Sequence, residues 1–184
     1  MQVTGHVLRS RYVYMRRAGE EGFAGVIAAL GPQAREVMEE GPLETNWYSY
    51  DVYIEVSEVM DRVLGNGDMQ LCQELGGFSC ELNLTGIFRV FFRFGNIGFL
   101  LDRAAKAWHS QYDFGTMTVT RDPDNRQRVT LEVSDVPRPH IVHYLAIKGW
   151  ALKAADLSGA EITTLEDHFD PTPNASMIWT FEYI

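Results

Sequence analysis

The chain has 184 residues, of which 46% are hydrophobic and 22% charged, and its formal net charge is −9. That length suits one domain with a substantial core rather than two. The acidic balance argues against a nucleic-acid-binding surface, which needs concentrated basic charge. No stretch approaches the roughly 20 apolar residues of a membrane span, and the N-terminal residues lack the apolar core of a secretory signal. A cytoplasmic location is the expectation.

The charge is unevenly placed. Arg9, Arg11, Arg16 and Arg17 lie in a first segment without acids, whereas residues 18–85 are strongly acidic. A solvated helix face pairing with that acidic region is the expected role of the four arginines. After a short extended piece at "VTGHVL", helices follow. "EEGFAGVIAALG" places Phe23, Val26, Ile27 and Leu30 on one face, with Gly31 as a stop. "PQAREVMEEG" starts on Pro32 and ends at Gly41. "SYDVYIEVSEVMDRVLGNG" puts Val52, Val56, Val59, Met60 and Val63 at helical spacing.

Asp68 can cap the next helical segment, which carries the stripes Leu71, Leu75, Phe78, Leu82 and then Ile87, Val90, Phe91, Phe94. Gly76 and Gly77 in its middle imply a break or a close approach of another backbone. Cys72 and Cys80, eight residues apart on one helix, would be separated by about 12 Å, too far for a disulfide. They read as buried thiols. Asn96 can cap a helix with Leu101, Ala104, Ala105, Trp108 and Tyr112 on one stripe.

After Asp113 the period becomes two. Met117 and Val119 alternate with threonines, "DPDN" at 122–125 is turn chemistry, and Val129, Leu131 and Val133 alternate again. This predicts a β-hairpin. Beyond "VPRP" comes a helix with Ile141, Tyr144, Leu145 and Leu152 inward, then two closing strands, the last with Met177, Trp179, Phe181 and Tyr183 on one face. The predicted class is α+β: an N-terminal helical layer on a C-terminal antiparallel sheet with one inserted helix. A single domain spans 1–184, with 1–112 mainly helical and 113–184 holding the hairpin, helix and closing strands.

Several constellations bear on function. Arg89 and Arg93, at i and i+4 on a phenylalanine-rich segment, could hold an anionic head group at an apolar pocket or extend from a polar stripe. Trp108, Tyr112 and Trp150 could line such a pocket, with Trp179, or fill a core. Gly76, Gly77 and Phe78 could let a second helix approach. His140 and His143 at i, i+3, with His168, are weak candidates for a metal, and no metal or other cofactor is expected. No arrangement of nucleophile and base, and no carboxylate pair, identifies a reaction.

The order "FFRFGNIGFLLDRAAKAWHSQYDFGTMTV", a hairpin, then "VPRPHIVHYLAIKGWALKAADLSGAEI" resembles an uncharacterised paralogous family abundant in myxobacteria and their relatives. "GHVLRSRYVYMRR", "NWYS" and "FSCELNLTGIFRVFF" resemble its N-terminal half. The C-terminal half is more distantly similar to the 4-vinyl reductase domain, the haem-NO-associated domain and the TRAPP tethering subunits. The resemblance implies a ligand-binding or interaction domain, often dimeric, and no single shared activity. Two departures matter. No cysteine follows Cys80, so the metal-binding loop of the vinyl-reductase relatives is not matched, and the haem-ligating Tyr-x-Ser-x-Arg signature of haem-based NO sensors is absent. His109 does not replace it. The expected function is therefore a non-catalytic, small-molecule-sensing regulatory domain acting through a homodimer or partner surface. Its expected ligand is a small hydrophobic or acidic molecule. The alternative is an interaction adaptor with no pocket.

Overall fold

A computed structural model describes residues 1–83 and 97–184. Strand β1 (Gln2–Thr4) runs straight into helix α1 (Gly5–Arg17), followed by α2 (Gly19–Ala29) and α3 (Pro32–Glu40). Strand β2 (Trp47–Ser49) pairs antiparallel with β1 and leads into α4 (Tyr50–Leu64) and α5 (Gln70–Asn83). Helix α6 (Ile97–Ala107) passes through one turn of tighter helix at Trp108–Ser110 into the hairpin β3 (Thr116–Arg121) and β4 (Arg128–Ser134). Helix α7 (Ile141–Ser158) and strands β5 (Ile162–His168) and β6 (Met177–Tyr183) complete the chain. The four strands form an antiparallel sheet in the order β3-β4-β6-β5. The α+β class, the hairpin and the inserted helix agree with the sequence expectation.

The sheet is built on its alternation. Val129, Leu131 and Val133 of β4 pair in register with Phe181, Trp179 and Met177 of β6, and all six are buried. Helix α7 covers this face, with Tyr144 stacked on Trp179 at a centroid distance of 4.7 Å. The buried side of α7 is not the predicted stripe alone. Val142, His143, Tyr144, Ala146, Ile147, Gly149, Ala151, Ala154 and Ala155 are buried, while Ile141, Leu145 and Leu152 are half-buried. A helix held between a sheet and another helix buries two faces, which a one-stripe reading misses. In α4 the reverse holds for Val63, which is 40% exposed although it sits at the predicted spacing.

Helix α5 runs without a break through Gly76 and Gly77, because the pair serves close approach. A Cβ at Gly76 would lie 2.0 Å from the carbonyl oxygen of Ala146, and one at Gly149 only 1.8 Å from that of Gln73. Helices α5 and α7 therefore cross backbone against backbone. At its start α5 is held by two carboxylates. Asp68 accepts from the Gln70 amide at 3.0 Å, as expected, and the buried Asp61 of α4 accepts from the amides of Met69 (2.9 Å) and Leu71 (3.2 Å). Removing the second leaves two amides without their acceptor. Asp61→Ala is expected to cost about 2–4 kcal/mol, read as a lower urea midpoint.

The helix-to-sheet corner at 105–119 is fastened on three sides. The Trp108 indole donates to the Phe114 carbonyl at 2.9 Å, and the Thr4 amide donates to the Gln111 carbonyl at 2.9 Å. Val3 bridges to Tyr112, so the first strand of the chain closes this corner. Among the described residues no helix is long and apolar enough to cross a membrane.

Candidate functional site: a cavity with a buried guanidinium

Beside this corner lies a cavity of about 440 Å³ walled by α1, α4, α5, α6, β3 and α7. Its size falls in the range of small-molecule sites. The expectation of a pocket-free adaptor does not match it. Helices α5 and α7 form one wall at their crossing, through Gly76, Ala146, Ile147 and Trp150. The opposite side comes from α1, through His6, Val7 and Arg11. Trp108 and Tyr112 close the corner side, their rings stacked at 4.2 Å and 24°.

Two guanidiniums line the cavity, the exposed Arg103 and the buried Arg11. Arg11 is 2% exposed, contrary to the solvated role expected of the N-terminal arginines. Arg9 keeps that role, paired with Glu44 at 2.9 Å on the surface. The Arg11 guanidinium donates to the hydroxyls of Ser10 (2.9 Å), Tyr53 (3.0 Å) and Ser57 (3.4 Å), and lies 4.8 Å from the centre of the Tyr53 ring. All of these partners are neutral, and among the described residues no carboxylate forms an ion pair with it. Residues 84–99 contain no Asp or Glu that could supply one. A buried charge is ordinarily paired, and here the protein offers hydrogen bonds without a counter-charge.

The sequence carries a signal for this residue. Val7, Arg11 and Met15 are spaced i, i+4, i+8 on α1, and Val7 and Met15 are buried. Reading α1 by helical spacing rather than by charge run puts Arg11 on the inner face. Tyr53 escapes the sequence reading for a related reason: the inward stripe assigned to α4 holds only its aliphatic positions and Met60.

Of the residues predicted as a site, Trp108, Tyr112 and Trp150 come together on the cavity wall. Arg89 and Arg93 lie outside the described residues. Gly76 is taken up within the chain by α7 rather than left for a second copy, and Phe78 meets the Tyr14 ring edge-on at 5.3 Å with Arg17 over its face at 4.8 Å. The three histidines considered for a metal are not assembled. His140 caps α7, its Nδ1 accepting from the Val142 amide at 3.3 Å, and His168 is exposed at the end of β5. Among the described residues no group of three or more His, Cys, Asp or Glu is arranged to hold a metal ion.

His143 is wholly buried, and neither ring nitrogen has a hydrogen-bond partner. The rings of Tyr50, Tyr53, Trp108, Tyr112 and Phe114 surround it at 4.9 to 5.9 Å. Burial, reinforced by the nearby Arg11 and His140, pushes its pKa down to about 3. It is a neutral ring behind the cavity wall. Burial also raises the thiols of Cys72 and Cys80, to about 11 and about 12, so both stay protonated, as their reading as buried thiols requires.

No protein-family model matches the sequence, and neither does any curated protein. Solved structures do match. An H-NOX protein from S. oneidensis in the Fe(II)NO ligation state aligns at a TM-score of 0.72 and 11% identity, over 98% of this chain and 99% of that one. An Fe(II) unliganded mutant of an H-NOX protein from K. algicida gives 0.72 and 10%, over 98% and 96%. An oxygen-binding H-NOX domain related to soluble guanylate cyclases, in its oxygen complex, gives 0.68 and 10%, over 98% and 94%.

The fold is that of the H-NOX domains. At this identity the H-NOX likeness concerns the fold alone. It agrees with the haem-NO-associated resemblance read from the sequence and corrects the expected partners. The sequence points to a small hydrophobic or acidic ligand with a homodimer or partner protein. The similar H-NOX structures are described instead by Fe(II), NO and oxygen.

Proposed function

We propose that this chain is a small-molecule-sensing regulatory domain whose ligand occupies the cavity between α1, α5, α6 and α7. The observation that carries the reading is the buried Arg11 guanidinium on the wall of a cavity of about 440 Å³, held by neutral hydroxyls alone. Keeping an uncompensated cation against a cavity carries a desolvation cost that folding does not recover. Trp108, Tyr112 and Trp150 supply the apolar contact area. Kinship with the paralogous family that the sequence resembles belongs to the same reading.

Haem is the group the H-NOX fold implies, and the residues can be tested against it. Its carboxylates would meet Arg11. Its iron would find a poor donor set, because His109 is exposed and His143 is sealed behind aromatic rings. Neither cysteine is on the wall, and burial raises the Tyr53 and Tyr112 phenols, keeping them protonated. Among the described wall residues His6 and Met117 remain, both only half-buried. The wall fits the periphery of a haem and not its metal.

Native mass spectrometry of the purified chain tests the reading. A mass excess that vanishes on denaturation and is lost in Arg11→Met supports it, and retention of the excess by the variant removes Arg11 from the site. The same substitution is expected to leave the ligand-free chain at least as stable as the original. Methionine fills similar volume, and replacing a buried charge by an apolar side chain is often neutral or stabilising by about 1–4 kcal/mol. Ser10 and Ser57 keep their own acceptors in Val7 and Tyr53, so only the Tyr53 hydroxyl loses its partner. Urea midpoints measured without ligand check this.

A further inference from the structure

We infer that the cavity takes a neutral planar heteroaromatic ring on which a carbonyl oxygen stands beside an unprotonated ring nitrogen, the pair accepting from Arg11. The inference rests on the small-molecule reading above and names the ligand class and the contact that recognises it.

Counting donors gives the contact. A guanidinium has five N–H groups. The Arg11 Nε donates to Ser57, one Nη to Ser10 and the other to Tyr53. Among the described residues, one N–H on each Nη therefore remains without an acceptor. Arg11 is buried and lines the cavity, so a ligand there can supply what is missing. Two N–H groups on one planar fork call for two acceptors side by side in one plane. The O6 and N7 atoms of a 6-oxopurine are such a pair, and arginine reads them in the DNA major groove. An oxidised flavin carries one as well.

The surroundings of Arg11 favour an uncharged ring over a carboxylate. Its three acceptors are neutral hydroxyls, and the Tyr53 ring lies 4.8 Å from the guanidinium carbon. Apart from Arg11, Arg103 and His6, the polar groups of the described wall are neutral: Tyr53, Tyr112, Ser79, Asn83 and Gln111. Hydroxyls and amides both donate and accept, which suits the mixed edge of a heterocycle. The Trp108–Tyr112 stack and Trp150 add the aromatic faces on which such rings stack. The hydroxyls hold the fork in place before any ligand arrives.

The experiment titrates the full chain by calorimetry at neutral pH with inosine, guanosine, adenosine and riboflavin, and with benzoate and phenyl phosphate as anionic rings. Inosine and guanosine are expected to bind about ten- to a hundredfold more tightly than adenosine, the range for one good bidentate pair. Adenosine carries an amino group where they carry the carbonyl. Riboflavin presents the acceptor pair on a larger ring, so its binding in place of the purines would support the class and assign the source to a flavin. Arg11→Lys keeps the charge but loses the fork, and it should weaken whichever ring binds by a similar factor. The nucleoside comparison requires no mutation, so it stands even if a variant folds poorly. Binding kept in Arg11→Lys and lost in Arg11→Met would overturn the inference in favour of a simple charge contact. So would benzoate or phenyl phosphate binding more tightly than the neutral rings. Inosine and adenosine bound equally would overturn it by removing the acceptor pair. If no neutral ring binds, the ligand class is overturned, and a mass excess in the native spectrum would show that the small-molecule reading survives without it.

Discussion

A single methyl group added at position 149 is expected to lower stability by at least about 3 kcal/mol, at or beyond the upper end of ordinary overpacking. The reason is what the methyl meets. A Cβ at Gly149 lies 1.8 Å from the Gln73 carbonyl oxygen, which belongs to the backbone of α5 and cannot rotate aside. Gly76 stands in the mirror-image position, 2.0 Å from the Ala146 carbonyl, so the crossing is closed from both helices. Relief requires α5 and α7 to separate, and that removes the cavity wall made by Gly76, Ala146, Ile147 and Trp150. Gly149→Ala should therefore lose ligand binding along with stability. Gly77→Ala is the control. Its Cβ would meet Gly149 and Lys153 at 3.6 Å, ordinary contact distance, and alanine is better than glycine in a helix by about 1 kcal/mol. Urea unfolding of the two variants should move in opposite directions, and equal losses would mean that glycine content rather than the crossing sets the effect.

That contrast also marks what is legible in the sequence. Two adjacent glycines in a helical pattern announce either a break or a close approach, and local pattern does not choose between them. The partner, Gly149, lies more than seventy residues away on a helix whose own pattern gives no reason to pair it with Gly76. Strand alternation is more readable because its period is short and its inner positions are all large: Val129, Leu131, Val133, Met177, Trp179 and Phe181. The site divides in the same way. Trp108 and Tyr112 fall on a helical stripe and are legible as wall residues. Arg11 falls on one too, with Val7 and Met15, but its charge outweighs its position. Functional sites are where local rules are expected to be broken, and a cation at a core position is such a break. The distances that make Arg11 meaningful, to Tyr53 and Ser57 some forty residues on, belong to the tertiary structure alone.

His143 carries the second large effect, and it appears in acid. Its pKa is pushed down from 6.5 to about 3 in the folded chain. Below about pH 6.5 the unfolded chain therefore takes up a proton that the folded chain refuses. The full contribution is present above that pH and is lost as the pH falls toward 3, at about 1.4 kcal/mol per unit. The groups around the ring explain why it stays neutral. Arg11 on α1 and His140 beside it oppose a second positive charge, and Tyr50 and Tyr53 on α4, with Trp108, Tyr112 and Phe114, contribute ring contacts without a hydrogen-bond acceptor at either nitrogen. His143→Phe keeps a ring of similar shape and has nothing to protonate. At about pH 7 the variant is expected to be as stable as the original or more so, because two unsatisfied nitrogens disappear from the core. By about pH 4.5 its advantage should widen by about 2–3 kcal/mol. Carboxylates and His140 titrate in both proteins, so the difference between their urea midpoints isolates position 143. A constant difference across that range would show that the folded chain gives the imidazole a partner for its proton, and the aromatic cage would then have to open to supply one.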